Sequence, residues 1–268
     1  WQRANPGLGH TISEQDLESA VSAAVTPSDL AAFRRYHLNT LGLAVDGWLP
    51  PDVWQQTAVD WLPDLAGRLC VVGFDAASRT DLSAAVIAIP QGDTVYAIPL
   101  AWTCEWAITH GRYARIYREA IERGELSVAG RDWIDVDQVA ALLAEQLKRY
   151  RVSAIYYDPG YGGPLVQRLV AHGIPEELTI AHGQGTRAMD RPVRETERLI
   201  IEGRLRRPVH RLWDICMGHV GLETDSWGRR RLSRRRSAGP IDLAVAMVMA
   251  AGNAVASEHT TEVSVQWL

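Results

Sequence analysis

The stretch that decides the fold is Val71-Val72-Gly73-Phe74-Asp75-Ala76-Ala77, a run of β-branched and apolar residues interrupted by one aspartate. This composition predicts a buried strand. A carboxylate at the end of such a strand costs free energy unless it is paired, protonated or bound to a cation. The role of Asp75 therefore depends on which other charged side chains the fold brings close to it.

Two more apolar runs, "DLSAAVIAIPQ" and "DTVYAIPLAW", follow this stretch after the short connections "SRT" and "QGD". Their spacing predicts three antiparallel strands joined as hairpins. Helical and strand patterns then alternate, with helices ended by Gly124 and Gly173 and a last buried helix opened by Gly239-Pro240. This order predicts an α/β fold with a mixed β-sheet flanked by helices.

The first quarter of the chain carries polar helical patterns, and we assign no strand to it. Ser13 and Asp16 form a helix-capping signature, and "TPSDLAAFRRYHLNTL" predicts a second helix. We therefore expect a helical lead-in over residues 1–66 and one α/β domain over residues 67–268. Because the chain starts at Trp1 rather than Met, we expect a fragment or a processed form.

Composition excludes several classes of protein. The formal net charge is −4, and the three cysteines are odd in number and widely spaced. This usage argues against a disulfide framework or a zinc ribbon and indicates a reducing compartment. No run of residues is long and apolar enough to span a membrane, and no signal-peptide pattern is present.

Three aspartates stand at the ends of predicted elements: Asp75, Asp158 and Asp242. Sites in α/β folds form where strands end and helices begin, and carboxylates suit Mg²⁺ or Mn²⁺. Two such ions, about 3.5–4 Å apart, can hold a phosphodiester for attack by water. Turn chemistry before Pro-Gly also explains Asp158, and the helix dipole also explains Asp242. Asp81 is either a fourth ligand or, as we favour, a turn residue.

An arginine run precedes the last aspartate, in a hairpin predicted to turn at Asp225-Ser226-Trp227-Gly228. A solvated charged face is one explanation of the run. Its single sign and its place beside the acidic residues favour a DNA-binding hairpin that holds phosphates without reading sequence. Trp227 at the tip is a candidate contact for DNA or a partner, and the other tryptophans are expected in the core. The six arginines are Arg229, Arg230, Arg231, Arg234, Arg235 and Arg236.

The order of these motifs resembles the ribonuclease H-like superfamily. More narrowly, it resembles the C-terminal nuclease half of the large terminase subunit of tailed bacteriophages. The segments that carry the resemblance follow one another in the family's order and cover nearly the whole chain. They include "ANPGLGHTISEQDLESA", "GFDAASRTDLSAAV", "YYDPGYGGPLVQRL", "ETERLIIEGRLRRPVHRLWDICMGHV" and "GPIDLAVAMVMA".

The resemblance implies a metal-dependent endonuclease that cuts double-stranded concatemeric DNA during genome packaging, in the cytoplasm of the infected bacterial host. It gives Asp75, Asp158 and Asp242 the catalytic and metal-binding roles, with Asp75 bridging two divalent cations, Mg²⁺ or Mn²⁺. It also implies a small terminase subunit, a portal and a prohead as partners.

Full-length relatives carry an N-terminal ATPase, whereas this sequence has no Gly-x-x-x-x-Gly-Lys-Ser/Thr loop. We therefore expect residues 1–66 to be a linker from a missing ATPase domain, and the chain to cut but not to pump.

Two histidines and two other functions stay open at this point. His210 and His219 lie in the segment before the hairpin, and we expect them to pack rather than to catalyse. The alternatives are another ribonuclease H-like nuclease, of the resolvase or transposase type, and a non-catalytic DNA-binding packaging component with purely structural carboxylates. Metal-dependent plasmid cleavage separates the enzymes from the binding component.

Overall fold

The computed structural model describes residues 1, 4–23, 33, 37, 47–76 and 81–265, with side chains to residue 254. The second predicted helix of the lead-in lies outside the described residues, apart from Phe33 and His37. The first is confirmed, because Asp16 N–H donates to Ser13 Oγ at 3.0 Å and Ser13 N–H donates to Asp16 Oδ2 at 3.1 Å. No helix within the described ranges is long and apolar enough to cross a membrane.

The main sheet has eight strands in the described part of the chain. They follow the order β1-β8-β4-β3-β2-β6-β7, with β5 beside β4. β3 runs antiparallel to β2 and β4, whereas the other pairings are parallel. The strands are β1 Ala58–Val59, β2 Leu69–Asp75, β3 Ser83–Gln91, β4 Thr94–Thr103, β5 Ser127–Val128, β6 Arg151–Tyr157, β7 Thr179–Ala181 and β8 Leu205–Pro208.

Parallel pairing gathers several strand ends at one edge of this sheet. The carboxyl ends of β2, β4, β6 and β7 lie there, together with the start of the antiparallel β3. We call this border the carboxyl edge. The three-strand meander predicted from the apolar runs is confirmed as β2, β3 and β4.

Helices cover the sheet, and a separate hairpin of β9 Leu222–Thr224 and β10 Arg230–Leu232 precedes the last helix. The hairpin turns where the sequence predicts, because Asp225 Oδ1 accepts from the N–H groups of Trp227 and Arg229. The helices are α1 Glu14–Ala23, α2 Pro51–Gln55, α3 Glu105–His110, α4 Ala114–Glu122, α5 Val136–Leu147, α6 Gly163–Ala171, α7 Thr186–Ile201, α8 Arg211–His219 and α9 Asp242–Val265.

The end of the lead-in belongs to the main sheet, which differs from the expectation that it has no strand. Ala58 pairs with Arg207, so β1 extends β8 at the border of the sheet. A strand of two residues is too short to leave a pattern in the sequence, and only its partner strand defines it. The division of the chain at residue 66 stays a prediction.

A buried arginine fixes this part of the lead-in. The Arg207 side chain is fully buried and lies 3.9 Å from the centre of the Trp54 ring. Its Nε donates to Thr57 Oγ1 at 2.9 Å, and its Nη2 lies 2.7 Å from Asp214 Oδ1. Since Trp54 Nε1 donates to the same carboxylate oxygen at 2.8 Å, one ion pair holds α2, β8 and α8 together.

Close contact between β2 and α9 completes the core. A Cβ on Gly73 would lie 2.1 Å from the carbonyl oxygen of Ala246 and 2.7 Å from the nitrogen of Ala250. Only glycine therefore lets the helix backbone approach the strand this closely. The predicted buried helix is confirmed, since residues 243–251 are all buried.

Candidate active site

Asp75 and Asp242 reach the same place from the central strand and the helix packed on it. Side chains alternate along a strand, so Asp75 projects from the same face of β2 as Gly73, the face that contacts α9. Asp242 is the first residue of that helix. Both residues are buried, with 1% and 0% of their surface exposed.

Arg234 joins these two carboxylates. It lies in a single helical turn, residues 234–236, directly after the hairpin. Its Nη2 donates to Asp75 Oδ2 at 2.8 Å and to Asp242 Oδ1 at 2.6 Å. One nitrogen of a cationic side chain therefore bridges two acidic residues that are distant in the sequence. We predicted Arg234 as a DNA contact, and no local pattern indicated this inward position.

The other carboxylate oxygens have unequal partners. Gln184, in the loop between β7 and α7, donates from Nε2 to Asp75 Oδ1 at 2.7 Å. Asp242 Oδ2 is buried and has no hydrogen-bond partner in the described structure. Asp75 is thus fully oriented by neutral and cationic donors, whereas Asp242 presents one uncompensated oxygen. A buried carboxylate oxygen of this kind is costly in the absence of a cation.

Burial and mutual repulsion shift the protonation of the pair. Burial, followed by the charge of Asp242, raises the pKa of Asp75 from 3.8 to about 7, against the opposing effects of Arg234 and Gln184. Burial also raises the pKa of Asp242, which Arg234 partly counteracts. Although burial disfavours its charge, the two carboxylates raise the pKa of Arg234. The raised pKa values favour a proton on one of the two carboxyl groups, since a single arginine does not balance two buried negative charges.

Asp158 stands beside this pair without joining it. β2 and β6 are parallel, and Phe74 pairs with Tyr157. Asp75 and Asp158, the next residues of each chain segment, therefore both lie at the carboxyl edge. The charge of Asp158 contributes to the raised pKa of Asp75. Its Oδ1 accepts from Gly160 N–H at 3.0 Å, which is the turn chemistry considered for the sequence. The role of Asp158 as the third metal ligand stays a prediction.

Asp81 also lies at the carboxyl edge. Its Oδ1 accepts from the buried Tyr117 hydroxyl at 2.7 Å, and its carbonyl oxygen accepts from Thr103 Oγ1 at 3.1 Å. The charge of Asp81 helps to raise the pKa of Asp242. Asp81 thus contacts distant residues and contributes to the electrostatics of the acidic pair. Its role as a turn residue or a fourth ligand stays a prediction.

The two histidines have structural contacts. His210 caps the start of α8, where its Nδ1 accepts from Trp213 N–H at 3.1 Å. His219 ends the same helix, is buried, and places Nδ1 3.3 Å from the carbonyl oxygen of Pro240. These contacts agree with the expectation that both side chains pack.

Most of the arginine run is paired with acidic side chains rather than left in solvent. The hairpin is also fixed to α7, where Asp190 Oδ1 accepts from Arg230 N–H at 2.8 Å. Arg235 and Arg236 are exposed. The pairs are Arg229 with Asp225, Arg230 with Glu197, Arg231 with Glu223, and Arg234 with Asp75 and Asp242.

The described tryptophans divide between core and surface, and Trp267 lies outside the described residues. Trp227 is 81% exposed at the hairpin tip. The expectation that the others are buried is wrong for four residues, because short helices and loops hold them outside the sheet. Buried tryptophans are Trp48, Trp54, Trp102 and Trp213, and exposed ones are Trp1, Trp61, Trp106 and Trp133.

The residues at the carboxyl edge suit a divalent cation. All candidate metal ligands are carboxylate oxygens, which Mg²⁺ and Mn²⁺ prefer. The uncompensated Asp242 Oδ2 supplies a buried acceptor next to Asp75. Within the described residues, no three His, Cys, Asp or Glu side chains are close enough together to hold one ion. A divalent ion bound by Asp75 would share its oxygens with Arg234 and Gln184.

Comparison with known proteins agrees with this fold. The family model described as "Terminase large subunit, endonuclease domain" matches residues 1–258. The large terminase subunit of Enterobacteria phage HK97 is 28% identical over 258 residues, which are 95% of this chain and 51% of that protein.

Solved structures give the same result. The HK97 bacteriophage large terminase matches with a TM-score of 0.70 and 26% identity, over 94% of this chain and 53% of that chain. The large terminase nuclease of thermophilic phage G20c shares the fold, with a TM-score of 0.50 and 10% identity over 74% of this chain and 96% of that chain. The chain thus spans about half the length of its HK97 relative. The predicted ribonuclease H-like fold, a mixed sheet flanked by helices, is confirmed, and the chain belongs to the family of terminase large-subunit endonuclease domains.

Proposed function

We propose that this chain is a metal-dependent endonuclease that cuts double-stranded concatemeric phage DNA during genome packaging. The observation that carries the proposal is the buried pair of Asp75 and Asp242 at the carboxyl edge, with one carboxylate oxygen left uncompensated. Asp75 would hold both of two divalent cations, Mg²⁺ or Mn²⁺, and Asp158 and Asp242 would each complete one. Bound there, the ions supply an activated water and neutralise the leaving oxygen.

The chain's own residues fix the geometry of this chemistry. Asp75 sits on a strand with neighbours on both sides, and Gln184 holds one of its oxygens. Asp242 is fixed by the contact of α9 with β2. Rigid elements of this kind keep ligands in position at low reorganisation cost. Burial of both carboxylates also excludes water from the side of the site that faces the core.

The hairpin and the helical turn of residues 234–236 after it are the proposed contact for the DNA backbone. Arg235 and Arg236 are exposed directly after β10, one and two residues from Arg234 in the acidic site. Phosphate contacts at this place would bring the DNA backbone next to the carboxylates without selecting a base sequence. Trp227 at the hairpin tip is 81% exposed and is a further candidate contact for DNA or a partner.

Family membership also supports the biological setting that we propose. It favours a packaging nuclease over a resolvase or a transposase. The partners would be a small terminase subunit, a portal and a prohead, in the cytoplasm of the infected host, and the ATPase activity would belong to a different part of the terminase. The non-catalytic alternative predicts no cleavage with any divalent ion.

Supercoiled-plasmid cleavage by the purified protein tests the proposal. We expect nicked and linear DNA with Mg²⁺ or Mn²⁺ and no cleavage in EDTA. Asp75→Asn, which keeps the size of the side chain, should reduce cleavage by about a hundredfold or more, since it removes a ligand charge. Asp64→Asn is the matched control, because its carboxylate lies before β2 and accepts from Ala66 N–H.

Two results would contradict the proposal. A folded wild-type protein that fails to cut DNA with every divalent ion tested favours the non-catalytic component with structural carboxylates. Cleavage that persists in Asp75→Asn at the rate of the Asp64→Asn control removes Asp75 from the reaction.

A further inference from the structure

Arg234 differs from every other arginine of the hairpin region in the groups that it contacts. Arg229, Arg230 and Arg231 pair with side chains of the hairpin or of α7. Arg234 instead contacts the two buried carboxylates of the candidate active site. Its side chain stays 47% exposed, so the guanidinium reaches the site from the solvent side. This position makes Arg234 a candidate gate for cations.

The backbone around Arg234 is held in place. Ser233 is buried, its N–H donates to the carbonyl oxygen of Gly221 at 2.8 Å, and its Oγ donates to Glu223 at 3.0 Å. Ser237 Oγ donates to the carbonyl oxygen of Ser233 at 2.8 Å and accepts from Gly221 N–H. The turn that carries Arg234 is therefore built into the fold, while its long side chain keeps rotational freedom.

At Asp75, a divalent cation and the guanidinium require the same acceptor oxygens. Arg234 Nη2 uses Asp75 Oδ2 and Asp242 Oδ1, and Gln184 uses Asp75 Oδ1. Two cations on the same buried oxygens repel each other strongly where the dielectric constant is low. Ligation of a metal ion by Asp75 thus competes with the arginine rather than adding to it.

We propose that Arg234 is an internal cation of the metal-free site, which holds Asp75 and Asp242 together and lowers the affinity for divalent ions until it is displaced. This inference rests on the proposed function, since it takes the two carboxylates as metal ligands. It adds a positioning residue that sets how tightly the metal binds. If the arginine-bound state outweighs the open state by ten to one, the apparent dissociation constant is about tenfold weaker than the intrinsic one.

Calorimetric titration of the whole chain with Mn²⁺, in mildly alkaline buffer and without DNA, tests this competition. Arg234→Ala should bind Mn²⁺ about tenfold more tightly than wild type. Arg235→Ala is the matched control, because it removes the same charge one residue away on the exposed side of the turn. We expect its Mn²⁺ affinity to equal that of wild type.

Thermal unfolding gives a second readout that is independent of cleavage. In EDTA, Arg234→Ala should unfold at a lower temperature than Arg235→Ala, because two buried carboxylates lose their cation. Mn²⁺ should then raise its midpoint by more than it raises that of the control. Arg234→Gln keeps a donor side chain without the charge and should show the same higher affinity if the alanine variant does not fold.

The outcomes separate the two proposals. Equal Mn²⁺ affinity in Arg234→Ala and Arg235→Ala overturns the inference and leaves the metal site intact. Weaker binding in Arg234→Ala also overturns it, since the arginine would then support the bound ion. If wild type and all variants bind no Mn²⁺, the metal-dependent function itself fails.

Discussion

Gly73→Ala tests whether the close contact of β2 with α9 builds the site. The new methyl carbon would lie 2.1 Å from the carbonyl oxygen of Ala246 and 2.7 Å from the nitrogen of Ala250. Both are backbone atoms and cannot rotate away. Ordinary contact begins at 3.4 Å, so the helix must move away from the strand by roughly 1 Å.

Such overpacking typically costs about 1–3 kcal/mol of folding free energy. Because the new methyl group clashes with two backbone atoms, we expect a cost near the upper limit. For a domain of this size, about 3 kcal/mol lowers the unfolding midpoint by about 6–12 °C. The same movement separates Asp242 on α9 from Asp75 on β2. A misplacement of about 1 Å can reduce a reaction rate by about a hundredfold, so plasmid cleavage should fall by a similar factor.

Thermal unfolding and plasmid cleavage measure the two effects, and calorimetric Mn²⁺ titration reports on the metal site in the same sample. Gly163→Ala is the matched control, because a Cβ at Gly163, the first residue of α6, has no neighbouring atom within 4 Å. Its free energy of unfolding should stay within about 1 kcal/mol of wild type. If Gly73→Ala were as stable as Gly163→Ala and bound Mn²⁺ normally, the strand and the helix would not be in backbone contact, and the packing argument would fail.

Three further predictions address charge. In EDTA, the raised pKa of Asp75 contributes stability that is complete below its unfolded value of 3.8 and is lost as the pH rises through about 7. Asp75→Asn should therefore flatten the decline of unfolding free energy over this window, and a parallel decline would contradict the assignment. Arg207→Met should lower the free energy of unfolding by about 3–5 kcal/mol, because Asp214 loses its partner; a change below 1 kcal/mol in urea denaturation would argue against this. Arg235→Ala should reduce the slope of log DNA affinity against log salt concentration by about 1. Arg230→Ala should change this slope less, because Arg230 is paired with Glu197. A slope for Arg235→Ala equal to that of wild type would place Arg235 outside the interface.

The sequence determined the local elements and the residue types at their ends. Alternating and helical patterns predict the meander, the later helices and the position of Asp75 at a strand end, because these signals depend on neighbours two to four residues away. The same locality explains the hairpin turn, where Asp225 Oδ1 accepts from the N–H groups of Trp227 and Arg229. The motif order was enough to indicate the family.

Only the tertiary structure decided which distant side chains meet. Arg234 and Asp75 are 159 residues apart, and Gln184 and Asp75 are 109 residues apart. Their contacts depend on strand order and on the packing of α9, which no short window of sequence contains. From the sequence, all six arginines of the run were predicted to contact phosphates. The fold instead pairs most of them with acidic side chains and directs Arg234 toward Asp75 and Asp242. Local interactions fix the elements, whereas burial and long-range pairing fix the charge balance that makes the site.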